Sequence, residues 1–260
     1  MTATTAQRDV GTLLREWRER RRFSQLDLSL RAEVSTRHLS FVETGRSRPT
    51  AEMIERLAAH LDVPLRERNR LLLAAGFAPV HPHHDLDEPD LAAVREALRV
   101  VLVAHQPHPA VLLNRWWEMV DANAAAGALL EGVDPALLAP PVNVLRLSLH
   151  PRGLAPRIVN LGQWRGHLLE QLAQRIDRTA DPRLVELAEE LAGYPGAEVE
   201  AAPALPTAVV LPLRLRSPAR ELSFFSIAAH VGTATDVTVE ELTIEAFYPA
   251  DAATAAALRT

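Results

Sequence analysis

The sequence contains no cysteine among its 260 residues, which excludes disulfides, zinc ribbons, iron–sulfur clusters and thiol nucleophiles. Lysine is also absent, so all 28 basic residues are arginines, a bias that we attribute to codon usage rather than to chemistry. No apolar run approaches the ~18 residues that a membrane helix needs, and the first residues lack the pattern of a secretory signal. We therefore expect a cytoplasmic protein that does not bind a membrane.

Motifs that are typical of enzymes are missing as well. The sequence has no GxGxxG, GxxxxGK[ST], GxSxG or HExxH pattern, and these are the local signatures of nucleotide binding, nucleophilic serine chemistry and zinc proteolysis. His167 is followed by Glu170, but this pair does not complete a zinc-protease motif. We expect a protein that is not an enzyme and that binds no cofactor.

The residues that are present predict two modules. Apolar residues make up 48% of the chain and charged residues 23%, which is enough apolar material for a buried core. Through Gly76 there are 14 arginines against 10 acidic residues, and after Gly76 there are 14 against 23. A segment rich in proline and histidine follows this change of charge. We predict domains at 1–76 and 107–260, joined by a linker and connecting helix at 77–106.

The sequence of the first domain, the basic module at 1–76, predicts five short helices. Apolar spacing gives each helix one buried face, and Ser24, Ser35 and Thr50 are suited to cap the second, third and fourth helices. The second is predicted to run from Gln25 to about Ala32 and the third to about residue 43. Two helices this short are not stable alone, but in a helix-turn-helix the first can hold the second in a DNA major groove.

The third helix carries the candidate DNA contacts. Leu39 and Val42 belong to the core, so the opposite face points outward and offers hydroxyls, a guanidinium that can bind guanine and an apolar ring for a thymine methyl. The second helix and the loop after the third are placed to reach phosphates. Periodicity alone also allows a small helical bundle with solvated arginines. The candidate DNA-binding residues are Gln25, Ser35, Thr36, Arg37, His38, Ser40, Phe41, Arg46 and Arg48.

The string FSQLDLSLRAEVSTRHLSFVETGRSRPTAEMIERLAAHLDVP at 23–64 resembles the Xre/phage-repressor family of helix-turn-helix domains. The resemblance implies a double-stranded DNA operator as partner. It also implies a buried, structural ion pair, and the matching residues here are Arg18 and Glu43. The family often has glycine in the turn where this chain has Glu33. A left-handed residue other than glycine costs roughly 1 kcal/mol, so the turn either absorbs that cost or adopts another conformation.

The acidic module predicts an α+β fold of the PAS-like type, a five-stranded antiparallel sheet with helices over one face. A hairpin with a tight turn at Asn114 and Arg115 comes first, helices follow, and three strands come near the end. The helix at 90–104 serves either as a connector or as a dimer seam. Further helices are predicted from Asn123, at 156–178, at 182–191 and from Ala250, with strands at 208–216, 221–231 and 237–248.

This module resembles the MmyB-like ligand-binding domain that accompanies Xre-type heads in bacterial regulators. The similarity is carried by the segments at 61–79, 114–130, 142–172 and 242–259. The resemblance implies a transcription regulator whose DNA affinity responds to a small apolar or amphipathic effector, of a lipid-like kind. Such a protein would be associated with the nucleoid. It would act as a homodimer, because two half-sites multiply the small footprint of one recognition helix.

Large apolar and polar side chains of this module are candidate ligand contacts. The alternative for each aromatic residue is that it simply fills the core. Arg165 could anchor a carboxylate through its two-pronged guanidinium, or it could be a solvated helix arginine. The candidates are Trp116, Trp117, Asn143, Trp164, Arg165, His167, Phe224, Phe225 and His230.

The proline- and histidine-rich segment after Gly76 contains possible metal ligands. His81, His83, His84 and Asp85 are of metal-ligating types, but neighbouring side chains of an extended, proline-broken segment point apart, so we expect no metal site. As an alternative to a regulator, the acidic module could be a catalytic or ligand-storage domain, with DNA binding incidental.

Overall fold

The computed structural model describes residues 9–196, 210–218 and 220–259. Within these ranges the chain forms two compact units. One unit consists mainly of residues up to His83, and the other consists mainly of residues from His84 onward.

The first unit contains the five predicted helices, and the helical fold of this region is confirmed. Side chains of Asp9, Ser24, Ser35 and Thr50 each accept a hydrogen bond from a backbone N–H of the first turn, which satisfies donors that have no partner within the helix. Ser24 and Asp27 form a complete capping box. The helices are α1 (Val10–Arg20), α2 (Gln25–Arg31), α3 (Thr36–Glu43), α4 (Ala51–His60) and α5 (Leu65–Ala74).

One apolar core holds these helices together. Gly11 brings α1 and α3 into close contact, because a Cβ atom at this position would lie 2.2 Å from the carbonyl oxygen of Val42. The backbone of α3 is therefore fixed directly against α1. The largest side chains of this core that are almost fully buried are Leu14, Leu28, Leu39, Ile54, Leu57, Leu61, Leu71 and Leu72.

The second unit contains a five-stranded antiparallel sheet in the order β2-β1-β5-β4-β3. This confirms the predicted α+β architecture with an antiparallel sheet covered by helices. The strands are β1 (Ala110–Leu113), β2 (Met119–Ala122), β3 (Leu213–Arg216), β4 (Glu221–His230) and β5 (Thr243–Pro249). The helices are α6 (Ala92–Ala104), α7 (Ala124–Leu129), α8 (Val144–Leu149), α9 (Leu161–Thr179), α10 (Pro182–Ala192), α11 (Val237–Glu240) and α12 (Ala252–Ala257).

Both faces of the sheet are covered, so the expectation of helices over one face is wrong. Val111 and Leu113 of β1 belong to the larger core beneath α7, α8, α9 and α10. Leu112, which points to the opposite face because side chains alternate along a strand, packs with Leu98 and Leu102 of α6. Strand β1, which lies inside the sheet between β2 and β5, is apolar throughout for this reason.

Several predicted boundaries in this unit are wrong. The β1–β2 connection is not a tight turn, because the Asn114 side-chain oxygen accepts the N–H groups of Trp116 and Glu118 and closes a longer loop. Residues 237–240 form α11 rather than the start of a strand, and the N–H groups of Glu241 and Leu242 then donate to the carbonyl oxygens of Thr238 and Val239. The helix predicted from 156 begins only at Leu161, and α8 was not predicted. The start of the strand predicted at 208–216 lies partly outside the described residues.

Candidate nucleic-acid interface and ligand cavity

Helix α3 has a buried side and an outward side. Leu39 and Val42 are at most 1% exposed, whereas Arg37 is exposed and Thr36, Ser40 and Phe41 are half-buried. Ser35 caps the helix through the N–H of His38, whose own side chain is half-buried. The outward side therefore presents side chains that can donate and accept hydrogen bonds, as the sequence predicts.

Phe41 lies between two arginines of this outward side. The guanidinium of Arg37 lies 5.4 Å from the ring centroid, and that of Arg46 lies 6.0 Å from it. A guanidinium on an aromatic face keeps its N–H donors at the edge of the plane, where they remain available for a partner. Arg46 and Arg48 are both exposed in the loop that follows α3.

A buried ion pair fixes the end of α3. Arg18 Nε lies 2.6 Å from Glu43 Oε1, and Arg18 Nη2 lies 2.9 Å from Glu43 Oε2. The hydrogen bond to Glu43 is the main reason that the pKa of Arg18 is raised above its usual value. Arg18 also donates to the carbonyl oxygen of Phe23, which precedes α2. The pair that the resemblance implies thus links α1, the start of α2 and α3.

Two of the candidate DNA contacts also make contacts within the unit. Gln25 Nε2 donates to Glu43 Oε2 at 2.8 Å, and Thr36 Oγ1 lies 2.7 Å from Ser29 Oγ. Gln25 and Thr36 therefore help to position α2 against α3. An amide nitrogen carries two hydrogens and a hydroxyl can both donate and accept, so both side chains keep hydrogen-bonding capacity.

The sequence left open whether Glu33, in the turn between α2 and α3, adopts the strained left-handed conformation or another one. The structure has the left-handed conformation. Glu33 has a φ of 53°, which is the left-handed region that favours glycine. Its side chain is exposed. The turn therefore absorbs the strain and still delivers α3 at the angle set by the core and the ion pair.

The second unit contains a cavity of about 80 Å³ between the sheet and helices α7, α8 and α9. Its walls are almost entirely apolar. The exceptions among the described residues are Ser148, whose Oγ accepts a hydrogen bond from Trp164 Nε1 at 3.0 Å, and Glu245 on β5. Other wall residues include Val111, Met119, Ala126, Leu145, Leu168, Leu215 and Phe247.

Of the predicted ligand contacts, only Trp164 is among the described residues that line this cavity. His167 lies beside it, with its ring centroid 5.4 Å from that of Trp164, and burial lowers the pKa of this imidazole. Phe224 is fully buried in the core. Phe225 instead stacks on Tyr248, and His230 lies at the exposed end of β4 beside Thr243.

Arg165 is neither solvated nor directed into the cavity. Its guanidinium donates to the backbone carbonyl oxygens of Leu191, Ala192 and Tyr194 at 2.7–3.0 Å. The carbonyls of Leu191 and Ala192 end α10 and that of Tyr194 follows it, and a helix end has unsatisfied acceptors and a partial negative charge. The contacts of this buried arginine are thus those of a helix C-terminal cap.

The remaining predicted ligand contacts lie around the β1–β2 loop. Trp116 Nε1 donates to Asp181 at 2.9 Å, and Asp181 also forms a buried ion pair with Arg115 at 2.7 Å. Trp117 is buried in the core under the guanidinium of Arg175. Asn143 caps α8 and donates to the Trp116 carbonyl oxygen at 2.7 Å. Trp116, Asn143 and Asp181 are thus joined by hydrogen bonds, and neither they nor Trp117 are among the described residues that line the cavity.

Comparison with known families agrees with both units. Residues 14–68 match the helix-turn-helix family model. Residues 94–260, more than half of the chain, match the model described as MmyB-like transcription regulator ligand binding domain. The protein is a member of the MmyB-like transcription regulators. No curated protein matches the chain.

Sequence reasoning about this regulator missed Glu245. Side chains alternate along a strand, so Glu245 lies on the same face of β5 as Phe247. A carboxylate that alternates with apolar residues normally faces water. In the structure the face with Glu245 and Phe247 lines the cavity, while Ile244 and Ala246 pack on the α6 side.

The histidine-rich segment does not converge on one point. His81 contacts Glu55 at 3.1 Å, His83 contacts Arg66 at 3.1 Å, and His84 lies 3.4 Å from Asp90. Among the described residues, no group of three or more histidine and carboxylate side chains could hold a metal ion.

Within residues 9–196, 210–218 and 220–259 of the regulator, no helix is both long and apolar enough to cross a bilayer.

Proposed function

We propose that this regulator binds a specific double-stranded DNA sequence through the outward side of α3. The observation that carries the proposal is the outward pair of exposed Arg37 and half-buried Phe41, on a helix whose opposite side is fixed by the core and by the Arg18–Glu43 pair. A recognition helix must present hydrogen-bond donors to the DNA bases while its backbone stays rigid. The first unit meets both requirements.

Each outward side chain has a proposed role. Arg37 reads a guanine through two hydrogen bonds, and the ring of Phe41 contacts a thymine methyl group. Arg46 and Arg48 bind phosphates, and Gln25 at the start of α2 binds a phosphate with its remaining hydrogen-bonding capacity. Ser35, Thr36, His38 and Ser40 supply further contacts from the first turns of α3.

The second unit is proposed to bind a small apolar or amphipathic effector in its cavity. A mainly apolar concave space with few polar groups is typical of ligand sites. The effector changes the operator affinity of a homodimer that contacts two half-sites. This role requires a cytoplasmic protein that meets chromosomal DNA at the nucleoid.

Three single substitutions test the DNA-binding role. An operator is first selected from a random duplex library with the full-length protein, and affinities are then measured by fluorescence anisotropy at several salt concentrations. Arg37→Ala is expected to cost about 1–3 kcal/mol and to relax the preference at one base pair. Arg46→Ala is expected to weaken binding to all DNA sequences alike. It should also reduce the slope of log affinity against log salt concentration by about one.

Arg15→Ala is the matched control, because Arg15 is an exposed arginine of α1 that pairs only with its helix neighbour Glu19 in the first unit's described contacts. It should leave both operator affinity and sequence preference unchanged. If Arg37→Ala behaves like this control at every base pair, the proposed orientation of α3 on DNA is wrong.

A further inference from the structure

Glu245 is a carboxyl group in a mainly apolar cavity. It is the only charged side chain among the described residues that line the cavity. Antiparallel pairing places it opposite Val111 of β1 on one side and Ala228 of β4 on the other. The sheet thus holds the start of this side chain rigidly.

The surroundings of Glu245 shift the pKa of its carboxyl group in opposing directions. Burial raises the pKa of this carboxyl, against smaller opposing effects of a hydrogen bond with Ser226 and of the Arg175 guanidinium. Arg175 stacks on Trp117 and donates to the Arg115 carbonyl oxygen, and it is not among the wall residues. The described cavity wall therefore offers a carboxyl group, whose oxygens can accept hydrogen bonds, and no cationic side chain.

The second polar group of the cavity wall is the Ser148 hydroxyl, which has less free hydrogen-bonding capacity. Ser148 Oγ already accepts the Trp164 indole N–H, so its remaining role toward a ligand is that of a donor or a second acceptor. An anionic head group would meet one hydroxyl, no guanidinium or imidazole among the described wall residues, and a carboxyl group that repels it once ionised. Such a head group would lose its hydration without an opposite charge to replace it.

We infer that the effector of this cavity is a short apolar compound whose polar head donates a hydrogen bond to Glu245, an alcohol or an amine rather than a carboxylate. The inference rests on the proposed function, since it takes the cavity as the effector site. It narrows the expected lipid-like class in two ways. The volume of about 80 Å³ is well below the roughly 300 Å³ at the lower end of sites for drug-sized ligands, and the head group is not an anion.

Three unbranched compounds with four carbon atoms each separate the head groups. The full-length protein is titrated at pH 7.5 with 1-butanol, butylamine and butyrate, and binding is followed by the shift in melting temperature, with ammonium chloride as the control for a cation alone. The alcohol and the amine should each bind about tenfold or more tightly than butyrate, because a hydrogen bond to a charged or desolvated group contributes about that much.

Substitutions then assign the effect to Glu245. Glu245→Gln should weaken butylamine about tenfold and bring it close to butyrate, whereas Glu186→Gln, which removes an exposed carboxylate of α10, should change nothing. Ala126→Leu places extra side-chain volume in the cavity wall and should abolish binding of all three compounds. Glu245→Gln and Ala126→Leu together distinguish the loss of a head-group contact from the loss of the cavity.

Operator affinity without ligand is measured on the same samples, so that failure of DNA binding is seen separately. Butyrate binding as tightly as butylamine, butylamine binding that Glu245→Gln leaves unchanged, or no binding of any compound to wild-type protein that still binds its operator would each overturn the inference.

Discussion

Glu43 illustrates how one residue can fix a whole helix. Its carboxylate is almost inaccessible, with a side chain 1% exposed, and it is held by Arg18 and by the amide of Gln25. A buried charge that loses its partner costs far more than an exposed one, because nothing replaces the water it gave up. The position of α3 therefore depends on a pair that itself need not touch DNA.

Removing one partner should show this dependence. Arg18→Met is expected to lower the free energy of unfolding of the first unit by about 3 kcal/mol or more, since Glu43 is left buried without its counter-charge. Arg15→Ala, which breaks an exposed pair on the same helix, should cost less than about 1 kcal/mol. Urea unfolding measures both. Equal small losses would show that the buried pair is not a structural requirement.

His167 makes the stability of the second unit depend on pH. Burial lowers the pKa of its imidazole, with a smaller opposing effect of Glu170, so the unfolded chain binds a proton more readily than the folded one. This contribution to stability is present above the unfolded pKa of about 6.5 and is lost as the pH falls below it. His167→Gln should therefore reduce the difference in melting temperature between pH 7.5 and pH 5.5. Melting temperatures that change with pH in the same way in the wild-type protein and in His167→Gln would contradict the assignment.

At the scale of elements, the caps made the first unit predictable. Ser24, Ser35 and Thr50 stand where their helices begin, and each one accepts the expected backbone N–H. The β1–β2 loop was not predictable in the same way. Two tryptophans favour a strand by propensity, but the Asn114 side chain closes a loop there and Trp117 adopts a φ of 58°. Tertiary contacts of the tryptophan rings outweigh local preference.

The turn between α2 and α3 is an element whose strain can be measured. Glu33→Gly should stabilise the first unit by about 1 kcal/mol or somewhat less, because the left-handed penalty disappears while the unfolded chain gains freedom. The control is Arg56→Gly, an exposed position in the middle of α4, which should destabilise the unit by about 1 kcal/mol. Urea unfolding measures both changes. A loss of stability at Glu33 similar to that at Arg56 would show that the turn is not strained.

At the scale of the whole molecule, the division into a DNA-binding helix-turn-helix and a ligand-binding domain could be predicted from the sequence. The ligand contacts could not. Arg165, Trp116 and Asn143 have the residue types of a binding site, yet their partners are backbone carbonyls and a buried aspartate that only the fold brings near. Glu245 escaped notice because a carboxylate on an alternating strand normally faces water, and here that face lines a cavity.

The central claim is that α3 enters the major groove of the operator, and photo-cross-linking tests it most directly. 5-Iodouracil replaces the thymine methyl group, which lies in the major groove, and light joins it to adjacent aromatic side chains. Operators with single iodouracil substitutions are irradiated with the full-length protein, and the attached peptides are identified by mass spectrometry. We predict attachment within residues 36–46, with Phe41 as the main site. Attachment only to peptides outside residues 24–50, from protein that binds the operator normally, would contradict the account.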